Sequence, residues 1–228
     1  MSRPRRIALL LPLVLAAAGC GSRSSSPPIA STTTSTLGTT TLTVFRVVHG
    51  ALRAETVRVP RTTAVAAASL RALGLDATLS ISGGTARVDL PHTTPARIAE
   101  VVYTLTQYRS IRRVDLAGRG PLMRRDVAAF VPPILIESPP DGASVPATFR
   151  ARGVASVFEA TFVLELVVAG KVEERRTVTA SAGAPELGTF DAVLHARRPG
   201  PAQLVAFAPS AENGTPQHRV AVRLTVAR

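Results

Sequence analysis

The sequence predicts an α+β N-terminal domain, with a mixed sheet and two helices, followed by an all-β sandwich. Residues 42–131 combine β-branched strand patterns with two helical patterns. Residues 134–228 show short alternating strands and no convincing helical period. Between the two parts stands Pro132-Pro133, which lacks backbone donors and is typical of a boundary. We therefore expect two cores with few shared contacts.

The first nineteen residues have the pattern of a signal peptide. A basic start precedes the apolar run Ile7–Ala18, which is too short to cross a bilayer, since a spanning helix needs about 20 residues. The run ends in small residues before Cys20, the only cysteine, and this ending resembles a bacterial lipobox, although Ala17 stands where leucine is commoner. The resemblance implies cleavage before Cys20 and lipid on its sulfur. The alternative is an ordinary secretory signal with an incidental cysteine.

Residues 20–41 are predicted to be a tether. The segment is rich in serine and threonine, and Arg23 is its only charged residue. Too little apolar surface is present to offset the entropy of ordering. With Cys20 lipidated, we expect the folded part to stand on the extracytoplasmic face of the cell membrane, and we expect no nucleic acid partner.

The first domain begins with strands. Leu42–Val48 and Thr56–Val59 are β-branched and flank the turn His49-Gly50. The alanine-rich segment Thr62–Leu73 predicts a helix on one side of a sheet. Next, two alternating segments flank Gly83-Gly84 and predict a hairpin. Glycines suit its turn, because a tight hairpin turn requires positive φ angles.

A second helix and a short strand complete this domain. Thr94 can cap the helix, and Pro95 suits its first position. An apolar stripe then follows at helical spacing, made of Ile98, Val101, Val102, Leu105 and Tyr108. Val114 and Leu116 predict one more short strand.

After the boundary the pattern is entirely β. Ile134–Glu137 leads into a strong turn signal at residues 138–142. In Phe162–Val168 and in Val220–Val226, large apolar residues recur at every second position. About seven such strands, with turn residues between them, favour a β-sandwich.

Several motifs resemble known families. Val101–Gln107, followed by Ile111 and Val114, and the hairpin Gly83–Leu90 resemble the sporulation and spore germination domain, the GerMN family. One departure is the short connection Gly74–Ala77, where family members usually carry a longer loop, and this puts in doubt any partner contact made through that loop.

Residues 134–228 resemble the immunoglobulin-like domain of bacterial spore germination proteins. The matching residues include Ile134, Ser138-Pro139, Gly142, Phe158-Glu159-Ala160 and Phe190. The two resemblances imply a GerMN-like α+β domain over 42–131 and an immunoglobulin-like sandwich over 134–228. They also imply a role in envelope assembly during sporulation or germination, or in a signalling complex.

The sequence offers no arrangement for catalysis, metal binding or a cofactor. The four histidines are scattered: His49, His92, His195 and His218. We interpret Glu159 as a structural residue, hydrogen-bonded at the start of a strand. We therefore expect no enzyme, no metal and no cofactor.

Charge is distributed unevenly. Residues 41–131 hold 13 basic and 6 acidic side chains, net +7, whereas residues 132–228 hold 10 and 9, net +1. The arginine cluster that we consider a candidate site for an anionic partner comprises Arg109, Arg112, Arg113, Arg124 and Arg125. A solvated basic surface is the alternative interpretation. The leading hypothesis is an envelope protein that binds other proteins, and its rival is a binding module for anionic wall polymer or lipid.

Overall fold

The computed structural model describes residues 38–90, 93–117 and 119–228. The leader 1–19, Cys20 and residues 21–37 of the predicted tether therefore lie outside the described residues. The predicted end of the tether at residue 41 is wrong, because residues 39–41 already belong to the first strand. A long hairpin opens the fold, with β1 over Thr39–Val48 and β2 over Ala51–Pro60. Its turn is His49-Gly50, where both residues have positive φ.

Two helices follow the predicted positions. The first, α1, covers Val65–Ala72 and is shorter than expected, because Thr62 accepts a hydrogen bond from the amide of Ala64 and forms a turn instead. The second, α2, covers Pro95–Thr106, with Thr94 as its cap and Pro95 in its first turn. Among the described residues, no helix has the length and apolar character that crossing a bilayer requires.

A four-stranded mixed sheet completes the first part. Its strands are β3 over Thr78–Ser82, β4 over Thr85–Asp89, β5 over Arg113–Leu116 and β6 over Pro121–Leu122. They are ordered β3-β4-β5-β6, and only the pair β4 and β5 is parallel. A crossover through α2 connects β4 to β5, as a parallel pair requires.

The second part is a sandwich of two sheets. One sheet has the order β11-β10-β13-β14-β8 and the other β12-β9-β7. The strands are β7 Ile134–Ser138, β8 Ala143–Val145, β9 Thr148–Ala155, β10 Thr161–Val168, β11 Lys171–Thr179, β12 Gly188–His195, β13 Gly200–Pro209 and β14 Pro216–Val226. The predicted fold class, α+β followed by an immunoglobulin-like sandwich, is confirmed.

The sandwich core is closely packed around Gly153 in the central strand β9. A Cβ added there would lie 1.9 Å from the carbonyl oxygen of Leu135 and 2.9 Å from the ring of Phe190. Phe190 in turn packs edge-on against Phe162, with ring centroids 4.9 Å apart. The position therefore requires glycine, because any side chain would separate the two strands.

The two parts share more contacts than the sequence suggested. Ile134 and Ile136 face the sandwich core, while Leu135 points the other way and packs into the core of the first part, with Val154. Successive side chains of a strand point to opposite faces, so β7 contributes side chains to both cores. The expectation of few shared contacts is therefore wrong, and residues 38–228 form one compact unit.

Candidate functional site

The five arginines of the predicted cluster differ in exposure and in their side-chain partners. Arg109 follows the C-terminal end of α2, and Arg112 directly precedes β5. Both are exposed, whereas Arg113, the first residue of β5, is half-buried. The amide of Arg112 donates to the carbonyl of Gly84 at 2.8 Å, so this arginine lies beside the β3–β4 turn. Arg125 is exposed and has only Asp126 within ion-pair range, at 3.8 Å.

Arg124 makes its side-chain contacts at the junction between the two parts. Its Nη1 donates to Oε1 of Glu137 at 2.7 Å, and its Nε donates to Oγ1 of Thr106 at 2.9 Å. Its guanidinium also lies over the ring of Tyr103, 4.6 Å from the centroid. The donors of Arg124 are therefore directed to groups of the same chain. The hypothesis of an anionic contact stays a prediction, and it rests on the exposed members Arg109, Arg112 and Arg125.

Tyr103 fixes the position of this contact. It is fully buried in α2 and packs against Phe45 with ring centroids 5.4 Å apart. Its hydroxyl has no hydrogen-bond partner in the described part of the chain. Burial raises the pKa of Tyr103 to about 12. Tyr103 is therefore neutral at physiological pH, and it serves as the platform for Arg124.

Asp141 forms the other side of the junction. Its amide donates to the carbonyl of Ala54 at 2.8 Å, and its carbonyl accepts from the amide of Thr56 at 2.9 Å. The carboxylate of Asp141 accepts from the amide of Arg223 at 2.7 Å and forms an ion pair with its guanidinium. Hydrogen bonds from Arg223 hold the pKa of Asp141 below its ordinary value. The turn after β7 thus links β2 to β14.

A different feature stands out at one end of the sandwich. Phe158 is 71% exposed, the largest exposure among the exposed large apolar residues of the described chain. It belongs to a short 3₁₀ turn, Phe158–Ala160, immediately before β10. The next two residues, Glu159 and Ala160, have φ values of 54° and 56°, which non-glycine residues rarely adopt.

Neighbouring backbone holds this turn in place. The amide of Ala184 donates to the carbonyl of Val157 at 2.9 Å, and the amide of Ala180 donates to the carbonyl of Ala160 at 2.8 Å. A Cβ at Gly183 would lie 2.8 Å from the amide nitrogen of Ala160, so only glycine allows this approach. Strained backbone that is fixed from several sides is frequent at binding sites.

The turn borders an open cavity of about 630 Å³, which we name the Phe158 pocket. Its titratable lining side chains are Glu159, Glu212 and His218. His218 lies at an irregularity of β14, where φ is 53° and the register to β13 shifts. The pocket therefore combines an exposed aromatic ring with two carboxylates.

The structure corrects one interpretation from the sequence. The carboxylate of Glu159 is exposed and has no hydrogen bond within the described ranges; only its backbone carbonyl accepts, from Thr161 Oγ1 at 3.0 Å. Its positive φ turns the residue away from the strand that follows. Phe158 was not predicted as a site residue. The available signal was a phenylalanine just before β10, outside the alternation of that strand.

No three histidine, cysteine, aspartate or glutamate side chains lie together as metal ligands within residues 38–90, 93–117 and 119–228. His195 hydrogen-bonds Thr148 at 3.0 Å on the outer surface of the sandwich. Two surface features of the described residues are considered for function below: the exposed arginines and the Phe158 pocket.

Comparison with known proteins identifies the sandwich. Residues 133–215 match the sequence model of a family described as the immunoglobulin-like domain of bacterial spore germination. The match lies within the second part and covers about a third of the chain. Phe158 and Glu212 of the Phe158 pocket lie inside the matched range, and His218 lies outside it. A comparison with curated protein sequences found no match.

Two solved structures show weaker likeness. The tandem GerMN domains of the sporulation protein GerM from Bacillus subtilis align over 70% of this chain and 61% of that chain, with 16% identity and a TM-score of 0.31. An engineered protein aligns over 50% of this chain and 22% of its own length, with 19% identity and a TM-score of 0.32. At these scores neither likeness bears on the fold, and the GerMN resemblance rests on the motifs quoted above.

Proposed function

We propose that this chain is a lipid-anchored cell-envelope protein that binds other proteins and catalyses no reaction. Its place would be the extracytoplasmic face of the cell membrane, in spore formation or germination, or in an envelope assembly or signalling complex. The observation that carries this proposal is the exposure of Phe158 on a fixed turn of the germination domain.

An aromatic side chain presented in this way is suited to protein contacts. Aromatic residues dominate the energetics of interfaces, because they bury much apolar area at little cost in side-chain entropy. Since hydrogen bonds around Val157 and Ala160 already fix the turn, little backbone entropy remains to be lost on binding.

A second candidate function is binding of anionic wall polymer or lipid. The exposed arginines Arg109, Arg112 and Arg125 favour it, since they belong to the part of the chain with net charge +7. Anionic lipid head groups attract basic side chains near the surface by about 1 kcal/mol each.

Site-specific photo-cross-linking in the native host distinguishes protein binding from binding of anionic wall polymer or lipid. A photoreactive phenylalanine analogue replaces Phe158, and in a matched control it replaces Val172, which is 54% exposed on β11. A protein adduct in stoichiometric yield at position 158, with none at 172, is the expected result. Adducts at neither position, together with retention of the chain on purified wall polymer, would contradict the proposal and favour the second function.

A further inference from the structure

We propose that the Phe158 pocket recognises a cationic side chain, arginine or lysine, on a segment of the protein partner. This inference rests on the proposed function and names the chemistry of the partner. It starts from the lining of the pocket, where an exposed ring and two carboxylates surround about 630 Å³ of open space.

The carboxylates of this pocket are unusual for this chain. Arginine is abundant, and most acidic side chains in the described residues lie within 4.0 Å of an arginine nitrogen. The acidic residues without such a neighbour in the described chain are Asp76, Asp89, Glu159, Glu186 and Glu212. Two of these, Glu159 and Glu212, line the same cavity beside Phe158.

The chemistry of this lining selects a cation. A positive group over an aromatic face gains about 0.5–1 kcal/mol at an exposed site, and an ion pair with an exposed carboxylate adds about 0.2–1 kcal/mol. An anionic ligand would be repelled by Glu159 and Glu212, and an apolar segment would bury them without partners. A guanidinium or ammonium group on a protein segment is complementary in charge to both the ring and the carboxylates that line the cavity.

The lining also explains why the cation comes from outside the pocket. His218 is the basic residue among its lining residues, and no arginine or lysine lines the cavity. Lys171 and the arginines of β11 lie on another strand and do not line the cavity. The lining of the pocket therefore holds two carboxylates and no arginine or lysine to pair with them.

An NMR titration tests the inference directly. The mature chain 20–228, isotope-labelled and without lipid, receives the acetylated and amidated peptide Gly-Arg-Gly-Arg-Gly. The control is the same peptide with citrulline, which keeps the shape of arginine and removes its charge. We expect shifts confined to amides around residues 157–161 and 209–218 with the arginine peptide, and none there with citrulline.

Variants identify the groups responsible. Phe158→Ala should weaken binding of the peptide by about twofold to fivefold. The double variant Glu159→Gln, Glu212→Gln should weaken it by about twofold to thirtyfold, since two ion pairs are lost. The matched double variant Asp76→Asn, Glu186→Gln removes two unpaired carboxylates elsewhere and should leave the affinity unchanged.

Three results would overturn the inference: equal shifts with the citrulline peptide, shifts outside the pocket, or equal weakening by the matched control. Shifts that depend on protein concentration without peptide would assign the pocket to a second copy of the chain and would overturn it too. If photo-cross-linking at 158 captures a protein while the arginine peptide does not bind, the partner lacks the proposed chemistry and the proposed function stands.

Discussion

Arg124 and Glu137 are joined by a 2.7 Å hydrogen bond between Nη1 and Oε1, and this ion pair spans the Pro132-Pro133 boundary. The two side chains are 30% and 20% exposed, so water screens them only in part. The same guanidinium lies over Tyr103, which is fixed in α2. One arginine thus ties the second helix of the first part to the first strand of the sandwich.

Replacing this arginine should therefore destabilise the fold rather than only remove a surface charge. Arg124→Ser leaves Glu137 without its partner, and we expect the free energy of unfolding to fall by about 2–3 kcal/mol. Arg125→Ser is the control, because Arg125 is 78% exposed and its removal should change stability by less than about 0.5 kcal/mol. Urea denaturation measures the free energy of unfolding of both variants. Equal losses would contradict a stabilising role of the Arg124–Glu137 pair.

Gly153→Ala should be one of the most damaging small substitutions in the sandwich. The added methyl group would meet the carbonyl of Leu135 and the ring of Phe190, so β7 and β9 would have to separate. We expect a loss of about 3 kcal/mol or more. Gly170→Ala is the control: its φ is 77° with no atom within 4 Å of the new Cβ, so only about 1 kcal/mol of backbone strain is expected. Thermal unfolding measures the stability of both variants, and similar losses for Gly153→Ala and Gly170→Ala would contradict this explanation.

Asp141 should make stability depend on acid pH. Because Arg223 lowers the pKa of Asp141 in the folded chain, the stabilisation is complete above the unfolded pKa near 3.8. It is lost as the pH falls through the lower folded pKa. From about pH 5 down to pH 2, the free energy of unfolding of the wild type should therefore fall more steeply than that of Asp141→Asn. Parallel pH profiles for the two proteins would show that the ion pair contributes nothing.

Local signals in the sequence predicted several individual elements of the secondary structure. Thr94 caps α2, Gly83-Gly84 makes the hairpin turn, and the alternation of Phe162–Val168 produces a strand with one buried face. In each case neighbouring residues determine the outcome, since capping, positive φ and strand period are short-range effects.

Long-range relations were not available from these patterns. Arg124 sits among other arginines in the sequence, and only the folded chain brings it beside Tyr103 and Glu137. Leu135 belongs to an apolar run, in which periodicity alone does not tell which core each residue enters. Phe158 was visible as a residue of the family motif, but its exposure depends on the turn at Glu159 and Ala160.

The anchoring prediction concerns Cys20, which lies outside the described residues. Cys20→Ala should release the protein from the membrane fraction, because buried lipid chains contribute about 0.8 kcal/mol per CH₂ group and two chains give stable residence. Fractionation after high-salt and carbonate washing measures retention, with Cys20→Ser as a second variant. Retention of both variants would assign anchoring to the uncleaved leader or to a protein partner.

The last prediction concerns the exposed arginines and tests the second candidate function. Arg109→Ser, Arg112→Ser and Arg125→Ser together lower the charge of the first part from +7 to +4 and leave the Arg124–Glu137 pair intact. If these residues contact an anionic surface, binding of the unlipidated chain to vesicles with anionic lipid should weaken by about tenfold to a hundredfold at low salt, since each basic side chain contributes about 1 kcal/mol.

The matched control removes the same charge elsewhere, through Lys171→Ser, Arg197→Ser and Arg219→Ser, all on exposed positions of the sandwich. A local contact predicts that only the first triple variant loses affinity and that its dependence on salt becomes flatter, because fewer screened charges take part. Equal losses in both triple variants would indicate a general effect of net charge. Unchanged binding to vesicles and to wall extract would make Arg109, Arg112 and Arg125 a solvated surface, and the Phe158 pocket would then be the stronger candidate for the functional surface.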